Sequence, residues 1–141
     1  MTLKDASAFN VQFVNSHPIF IDTLSFEIYE DGQIWKPYKQ FCQHFLAPLA
    51  LMSKKDIRLN LLSKTFIDGI PIDLAAKLLP KTTFGNFGLM AHIHAHAKSQ
   101  KHYEDKDAKI KQKTFSKRSF EGLIENLKSS IEKMTWNEDN T

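Results

Sequence analysis

Apolar residues between positions 38 and 52 recur at steps of three and four, and this spacing limits the possible folds more than any other feature of the sequence. They are Tyr38, Phe41, Cys42, Phe45, Leu46, Leu49 and Met52. Such a period predicts a helix with one buried face, and Pro37 suits the first helical position. Because Pro48 lies inside the run, we expect it to kink the helix or to split it in two. The middle of the chain is therefore predicted to supply a helical core.

Short extended segments precede this part, and further helices follow it. Val11–Val14 and Ile19–Ile21 flank the turn residues 15–18, which predicts a β-hairpin with a four-residue connection. Phe26–Tyr29 is predicted to be extended as well. Further helices are expected after a cap at Asp56, over Pro71–Leu79, over Phe84–Gln100, and after a cap at Ser119 along an apolar stripe that ends at Met134. The predicted fold class is α+β, mostly helical with a small N-terminal β-hairpin.

Length and composition limit the number of domains and the class of protein. The 141 residues fit one domain or a fragment of a larger protein. We divide them into a hairpin region 1–32, a helical region 33–97, a basic connecting segment 98–118 and a C-terminal amphipathic helix 119–135. A lone cysteine, Cys42, excludes an intramolecular disulfide framework. No run of 18 apolar residues and no signal peptide occur, so we expect a cytoplasmic protein without a membrane partner.

The basic segment does not favour a nucleic-acid partner. Residues 98–118 carry eight basic and three acidic side chains, while the whole chain has a net charge of only +3. Few aromatic residues lie among the lysines, although single-stranded nucleic acids are usually bound by aromatic side chains between basic ones. A solvated helix and loop is the simpler interpretation.

Three polar residues near the N-terminus form the first candidate site. Asp5 precedes Asn10 by five positions, and Asp22 follows the predicted hairpin. This pattern resembles the catalytic loop and metal-binding aspartate of protein kinases and aminoglycoside-type phosphotransferases, and it implies a remnant similar to a kinase C-lobe. The resemblance implies that Asp5 is the catalytic base and that Asn10 and Asp22 are Mg²⁺ ligands. The alternative interpretation is that the three residues only form turns, caps and a strand end.

That resemblance is incomplete. Leu3 and Lys4 stand where those enzymes usually have His-Arg or His-Gly, and Thr23-Leu24 stands in place of Phe-Gly. The glycine-rich loop and the lysine that anchors ATP would precede residue 1. We therefore expect at most nucleotide or Mg²⁺ binding at these residues.

The second candidate site is a group of histidines. His92 and His96 are four residues apart, so on a helix they can share one Zn²⁺ ion. A zinc site needs further ligands, for which His102 or a distant aspartate is a candidate. No glutamate lies between His92 and His96, which excludes the metalloprotease helix motif. The alternative interpretation is that the histidines pack and form hydrogen bonds at the border of the core.

Several longer sequence segments resemble one protein family. They are Leu3–Phe13, Ile21–Glu27, Gln40–Leu51, Ile67–Ala75, His92–Ala97 and Met134–Trp136. These are similar to the region before the catalytic domain of bacterial S-adenosylmethionine-dependent methyltransferase-like proteins, some of them related to nodulation proteins. The resemblance implies that the methyl-donor site lies in a Rossmann-like domain after residue 141, since none of the five glycines here forms the required turn.

The resemblance therefore implies a non-catalytic auxiliary domain for substrate presentation or domain docking, and the isolated chain is not expected to be an enzyme. Its expected partner is a methyltransferase-type catalytic domain, in cis or in trans. A homodimer is a further expectation, because a fragment of a larger fold exposes apolar surface that a second copy can cover. The alternatives are a degenerate kinase-like domain that binds a nucleotide or Mg²⁺, and a metal-binding module built on His92 and His96.

Overall fold

The computed structural model describes residues 1–99 and 116–136. In chain order, the strands are β1 (Thr2–Leu3), β2 (Val11–Val14), β3 (His17–Phe20) and β4 (Phe26–Glu27), and the helices are α1 (Tyr38–Phe41), α2 (Ala47–Lys54), α3 (Leu62–Thr65), α4 (Ile72–Leu78), α5 (Phe87–Leu89) and α6 (Lys117–Glu132). Two π-helical turns, Cys42–Leu46 and Met90–Ala95, follow α1 and α5. The predicted α+β class, mostly helical with a small N-terminal hairpin, is confirmed.

The strands form two antiparallel pairs. β1 pairs with β4, and β2 pairs with β3 with Val14 opposite His17. The predicted hairpin is thus present, but its connection has two residues instead of four, because Asn15 and Ser16 adopt φ values of 49° and 65°. Two successive residues at positive φ form the tight turn that suits the twist of a hairpin. His17 and Pro18 therefore belong to β3.

Pro48 does not split the helical run. α1, the π-helical turn and α2 follow one another without a gap, and Pro48 lies in the first turn of α2. In the π-helical turn the Ala47 N–H reaches the Cys42 carbonyl, so the Gln43 carbonyl would need a donor at position 48, where proline has none. The Ile70 N–H supplies that bond at 3.0 Å. A tertiary contact therefore satisfies the carbonyl that the proline leaves free.

Caps fix where several helices begin. The predicted cap at Asp56 is confirmed, since its carboxylate accepts from the Arg58 N–H, although the segment it caps is the 3-10 turn Ile57–Leu61. α5 begins after Asn86, whose side chain accepts from the Leu89 N–H. α6 begins at Lys117, because Ser116 is extended and its hydroxyl accepts from the Ser119 N–H. The cap Ser116 lies three residues before the predicted cap Ser119, and Ser119 lies inside the helix. Gln100 and most of the predicted basic segment lie outside the described residues.

The core is built by the helical part of the chain. Its buried cluster comprises Cys42, Leu46, Ala47, Ala50, Leu51, Ile70, Ile72, Ala75, Leu79, Leu89, Ile93 and Leu127. α6 closes this core through Leu127 and also contacts the N-terminal part, because the Phe120 ring stacks on Tyr29 at 4.9 Å. Among residues 1–35, all of which the structure describes, only Ala6 and Ser25 are buried. The strands therefore lie outside the core.

Candidate functional site

The β2–β3 hairpin places Asn10 and Asp22 at the same end. Asn10 directly precedes β2, and Asp22 is the second residue after the end of β3. The Ile21 N–H donates to the Asn10 carbonyl at 2.8 Å, which extends the ladder by one pair beyond the strands. An antiparallel pair brings the start of one strand next to the end of the other. The local sequence pattern alone therefore accounts for this juxtaposition.

Ser25 joins the two side chains. The Asn10 amide donates to the Ser25 hydroxyl at 3.1 Å, and that hydroxyl donates to Asp22 Oδ2 at 2.6 Å. The other Asp22 oxygen accepts from the Leu24 N–H at 3.0 Å, so Asp22 also caps the 3-10 turn Thr23–Ser25. We call Asp5, Asn10, Asp22 and Ser25 the polar cluster.

Asp5 reaches the cluster from the preceding loop. Its Oδ1 accepts from the Ser7 N–H at 3.0 Å and from the Gln40 amide at 2.7 Å. Desolvation acts to raise the pKa of Asp5, but the hydrogen bonds from Ser7, Gln40 and Asn10 outweigh it and the pKa is lowered. Asp5 is therefore a carboxylate at neutral pH. A carboxylate can accept a proton or face a cation, which is the chemistry predicted for this position.

The structure thus joins Asn10 and Asp22 through Ser25, and it places Asp5 close enough to Asn10 for the Asn10 side chain to lower the pKa of Asp5. Carboxylate and amide oxygens of this kind suit Mg²⁺. The same contacts also form turns and caps, as the alternative interpretation expects. The roles of Asp5 as a base and of Asn10 and Asp22 as Mg²⁺ ligands stay predictions.

Two residues of this arrangement, Ser25 and Gln40, were not predicted from the sequence. Ser25 lies three residues after Asp22, a spacing typical of local side-chain turns, and could have been found from it. Gln40 is different, because it lies 35 positions from Asp5. It also accepts from the Ala6 N–H at 2.8 Å and so fastens the loop to α1. No local pattern indicates a partner at that distance.

The histidines form a separate group around Tyr38. His92 Nε2 donates to the Asn126 side-chain oxygen at 2.8 Å, which leaves Nδ1 to accept from the Tyr38 hydroxyl at 2.7 Å. The His96 ring stacks on Tyr38 at 5.2 Å, and its Nδ1 is buried. Burial lowers the pKa of both imidazoles. His92 and His96 are therefore neutral residues at the border of the core.

This group does not assemble a set of metal ligands within residues 1–99 and 116–136. No three His, Cys, Asp or Glu side chains there are placed to hold one ion. Cys42 lies beside Tyr38, but burial raises the pKa of its thiol to about 12, which favours the protonated form and a packing role. His102 lies outside the described residues. Zinc binding by His92 and His96 stays a prediction.

None of the described helices combines the length and the apolar character needed to cross a membrane. This agrees with the absence of an 18-residue apolar run in the sequence.

Comparison with known proteins identifies a relative. Over 98 residues the chain is 44% identical to Nodulation protein NoeA of Rhizobium meliloti (strain 1021). The match covers 70% of this chain and 21% of that protein, so the chain spans about a fifth of the length of this relative. No protein-family model and no solved structure matches the chain. The predicted relation to nodulation proteins is thereby confirmed.

Proposed function

We propose that this chain is a non-catalytic auxiliary domain of a longer, nodulation-related and methyltransferase-like protein, and that it docks a catalytic domain. The partner would hold S-adenosylmethionine and would be joined in cis or in trans. The apolar surface of the N-terminal part is the observation that carries the proposal. The length of the relative beyond the matched region supports it.

The docking surface consists of large apolar side chains from the strands and the loops beside them. Its exposed members are Phe9, Phe13, Val14, Ile19, Ile21, Leu24, Phe26, Ile28 and Ile34. Single exposed apolar residues are ordinary, but a group of this size in one segment is typical of an interface. Because the buried cluster lies in the helical part, this segment has little core of its own to pack against. A partner that covers it would supply the missing apolar contacts.

Binding to the rest of the relative tests this proposal. The remaining part of the Rhizobium meliloti protein would be produced as a separate chain, and its affinity for the 141-residue chain measured by calorimetry. Leu24→Asp, at a side chain 80% exposed, is expected to weaken binding at least about tenfold. Phe87→Asp is the matched control, since Phe87 is 77% exposed but lies on α5. Equal weakening by both variants would contradict the proposed surface.

A ligand test addresses the absence of catalysis. S-adenosylmethionine is expected to leave the thermal unfolding temperature of the isolated chain unchanged, because the donor site is assigned to the partner. A saturable rise in that temperature would show a donor site within this chain. That result would overturn the auxiliary role without affecting the docking surface.

The polar cluster favours a second candidate function, the binding of a nucleotide with Mg²⁺. Its support is the hydrogen-bonded path from Asn10 through Ser25 to Asp22, with the Asp5 carboxylate close to Asn10. ATP with Mg²⁺ should then raise the unfolding temperature of the wild type and not of Asp22→Asn, which still offers one oxygen for the cap. Asp73→Asn is the control, since Asp73 pairs with Lys77 on the surface of α4. No stabilisation of the wild type would exclude this function.

A further inference from the structure

The two edges of the β2–β3 hairpin differ in what they offer a further strand. The turn Asn15–Ser16 makes Val14 and His17 a hydrogen-bonded pair, and such pairs alternate along an antiparallel ladder. Phe13 and Pro18, the next pair, therefore direct their backbone groups away from each other. At Pro18 the outer edge of β3 lacks an N–H, whereas at Phe13 the outer edge of β2 has both an N–H and a carbonyl.

Pro18 thus protects the outer edge of β3, because a strand cannot add where a donor is missing. β2 has no such protection. Its residues Val11–Val14 carry no charge, although charged side chains commonly keep exposed edges apart. Phe13 is 71% exposed, and within the described part of the chain β2 pairs only with β3. The edge of β2 is accessible and suited to pairing.

The groups on either side of Phe13 are already bonded. The Val11 N–H donates to the Ala8 carbonyl, and the Asn15 carbonyl lies 2.9 Å from His17 Nδ1. Phe13 is therefore the residue on this edge with both of its backbone groups free within the described structure. A residue whose N–H and carbonyl both point outward can pair with the same residue of a second copy across a two-fold axis. In such a hydrogen-bonded antiparallel pair, each residue donates its N–H to the carbonyl of the other.

We propose that β2 pairs antiparallel with β2 of a second copy, with Phe13 opposite Phe13, to form a four-stranded sheet. β2 carries no charged side chain that would oppose the approach of a second copy along this edge. Pro18 stops a third copy from adding at the outer strands, so the association closes as a dimer instead of growing into a fibre. The proposal concerns the backbone edge of β2 and does not require that a catalytic domain docks, although the Phe13 side chain also belongs to the docking surface.

Sedimentation equilibrium of the 141-residue chain tests the dimer. The wild type is expected to dimerise with rising concentration. Phe13→Pro removes the outward N–H but none of the hydrogen bonds inside the hairpin, and it should weaken dimerisation at least about tenfold. Phe13→Ala, which keeps that N–H, should weaken it less than Phe13→Pro. A wild type that stays monomeric, or a Phe13→Pro variant that dimerises like the wild type, would overturn the proposal.

Amide exchange followed by NMR tests the same contact in the unmodified chain. In the dimer, the Phe13 amide is expected to exchange at least about tenfold more slowly than at high dilution. The Gln12 amide faces β3 in both states and should change far less. A dimer whose Phe13 amide stays as fast as in the monomer uses another surface, and it would overturn the proposal even if no variant folds.

Discussion

Gly88 lies where α5 contacts α6, and it leaves no room for a side chain. A Cβ at this position would collide with the Ser130 hydroxyl and would lie 2.8 Å from the Ser130 Cβ. Ser130 cannot easily move away, because its hydroxyl donates to the Asn126 carbonyl at 2.7 Å. Asn126 in turn binds His92, so this close approach helps to position the buried imidazole.

We therefore expect Gly88→Ala to lower the free energy of unfolding by about 1–3 kcal/mol, as overpacking usually does. Gly122→Ala is the matched control, since no atom lies within 4 Å of the position that its Cβ would take and the residue is exposed on α6. That variant should gain about 0.5–1 kcal/mol from better helix propensity. Urea denaturation measures both, and a neutral Gly88→Ala would contradict the close packing.

The buried histidines predict that stability depends on pH. Burial lowers the pKa of His92 and His96 in the folded state, while the unfolded chain takes up protons near the ordinary value of 6.5. The unfolded state therefore binds more protons below this pH, and the free energy of unfolding should fall as pH decreases from about 6.5. Each histidine contributes at most about 1.4 kcal/mol per pH unit.

Denaturation at pH 7.5 and at lower pH values measures this slope. His92→Gln should reduce this slope, because it removes one of the two buried imidazoles. An equal slope in the wild type and in His92→Gln would contradict the role assigned to His92.

Among the secondary-structure elements, α6 links the two parts of the fold. Its inner residue Leu127 belongs to the core, whereas Phe120 contacts Tyr29 and Trp35, with ring centroids 4.9 and 6.2 Å apart. The Lys117 N–H also donates to Asp31 at 2.8 Å. The first turn of α6 thus holds the loop that leads from β4 to α1.

Phe120→Ala is expected to lower the free energy of unfolding by about 2–3 kcal/mol, somewhat less than for a fully buried phenylalanine. It should also speed amide exchange around Tyr29, which loses its stacking partner, and around Trp35, which loses an edge-to-face ring contact. Arg118→Ala, at an exposed residue of the same turn, should change neither quantity. Unchanged exchange around Trp35 in Phe120→Ala would contradict the linking role of α6.

The sequence predicted those elements of the fold that depend on residues close together in the chain. Apolar spacing located the helices, and the Asn15-Ser16 turn lay within the predicted hairpin connection. Both are local properties of the chain. The Gln40 contact with Asp5 spans 35 positions and the His92 contact with Asn126 spans 34, so only the folded chain shows them. The placement of Asn10 beside Asp22 was predictable, because a hairpin brings its own ends together.

For the molecule as a whole, stability is expected to be uneven. α2 is largely buried, whereas most of β2 and β3 is exposed. Regions with few buried contacts open more readily than a packed core. At high dilution, the amides of residues 11–20 should therefore exchange faster than those of residues 47–54, as measured by mass spectrometry. Equal protection would contradict a core confined to the helical part.

The bond from Ile70 to the Gln43 carbonyl gives Pro48 a role in attaching a distant loop to the helix. An N–H at position 48 would offer the same carbonyl a donor from within the helix, whereas proline leaves the Ile70 N–H as the donor that this carbonyl receives. The neighbouring Gly69 suits this close approach, because it adopts φ +94° and a Cβ there would lie 2.6 Å from the Gln43 Cβ. Proline usually disrupts helices, but here its missing N–H leaves the Gln43 carbonyl free, and a distant loop is attached through that carbonyl.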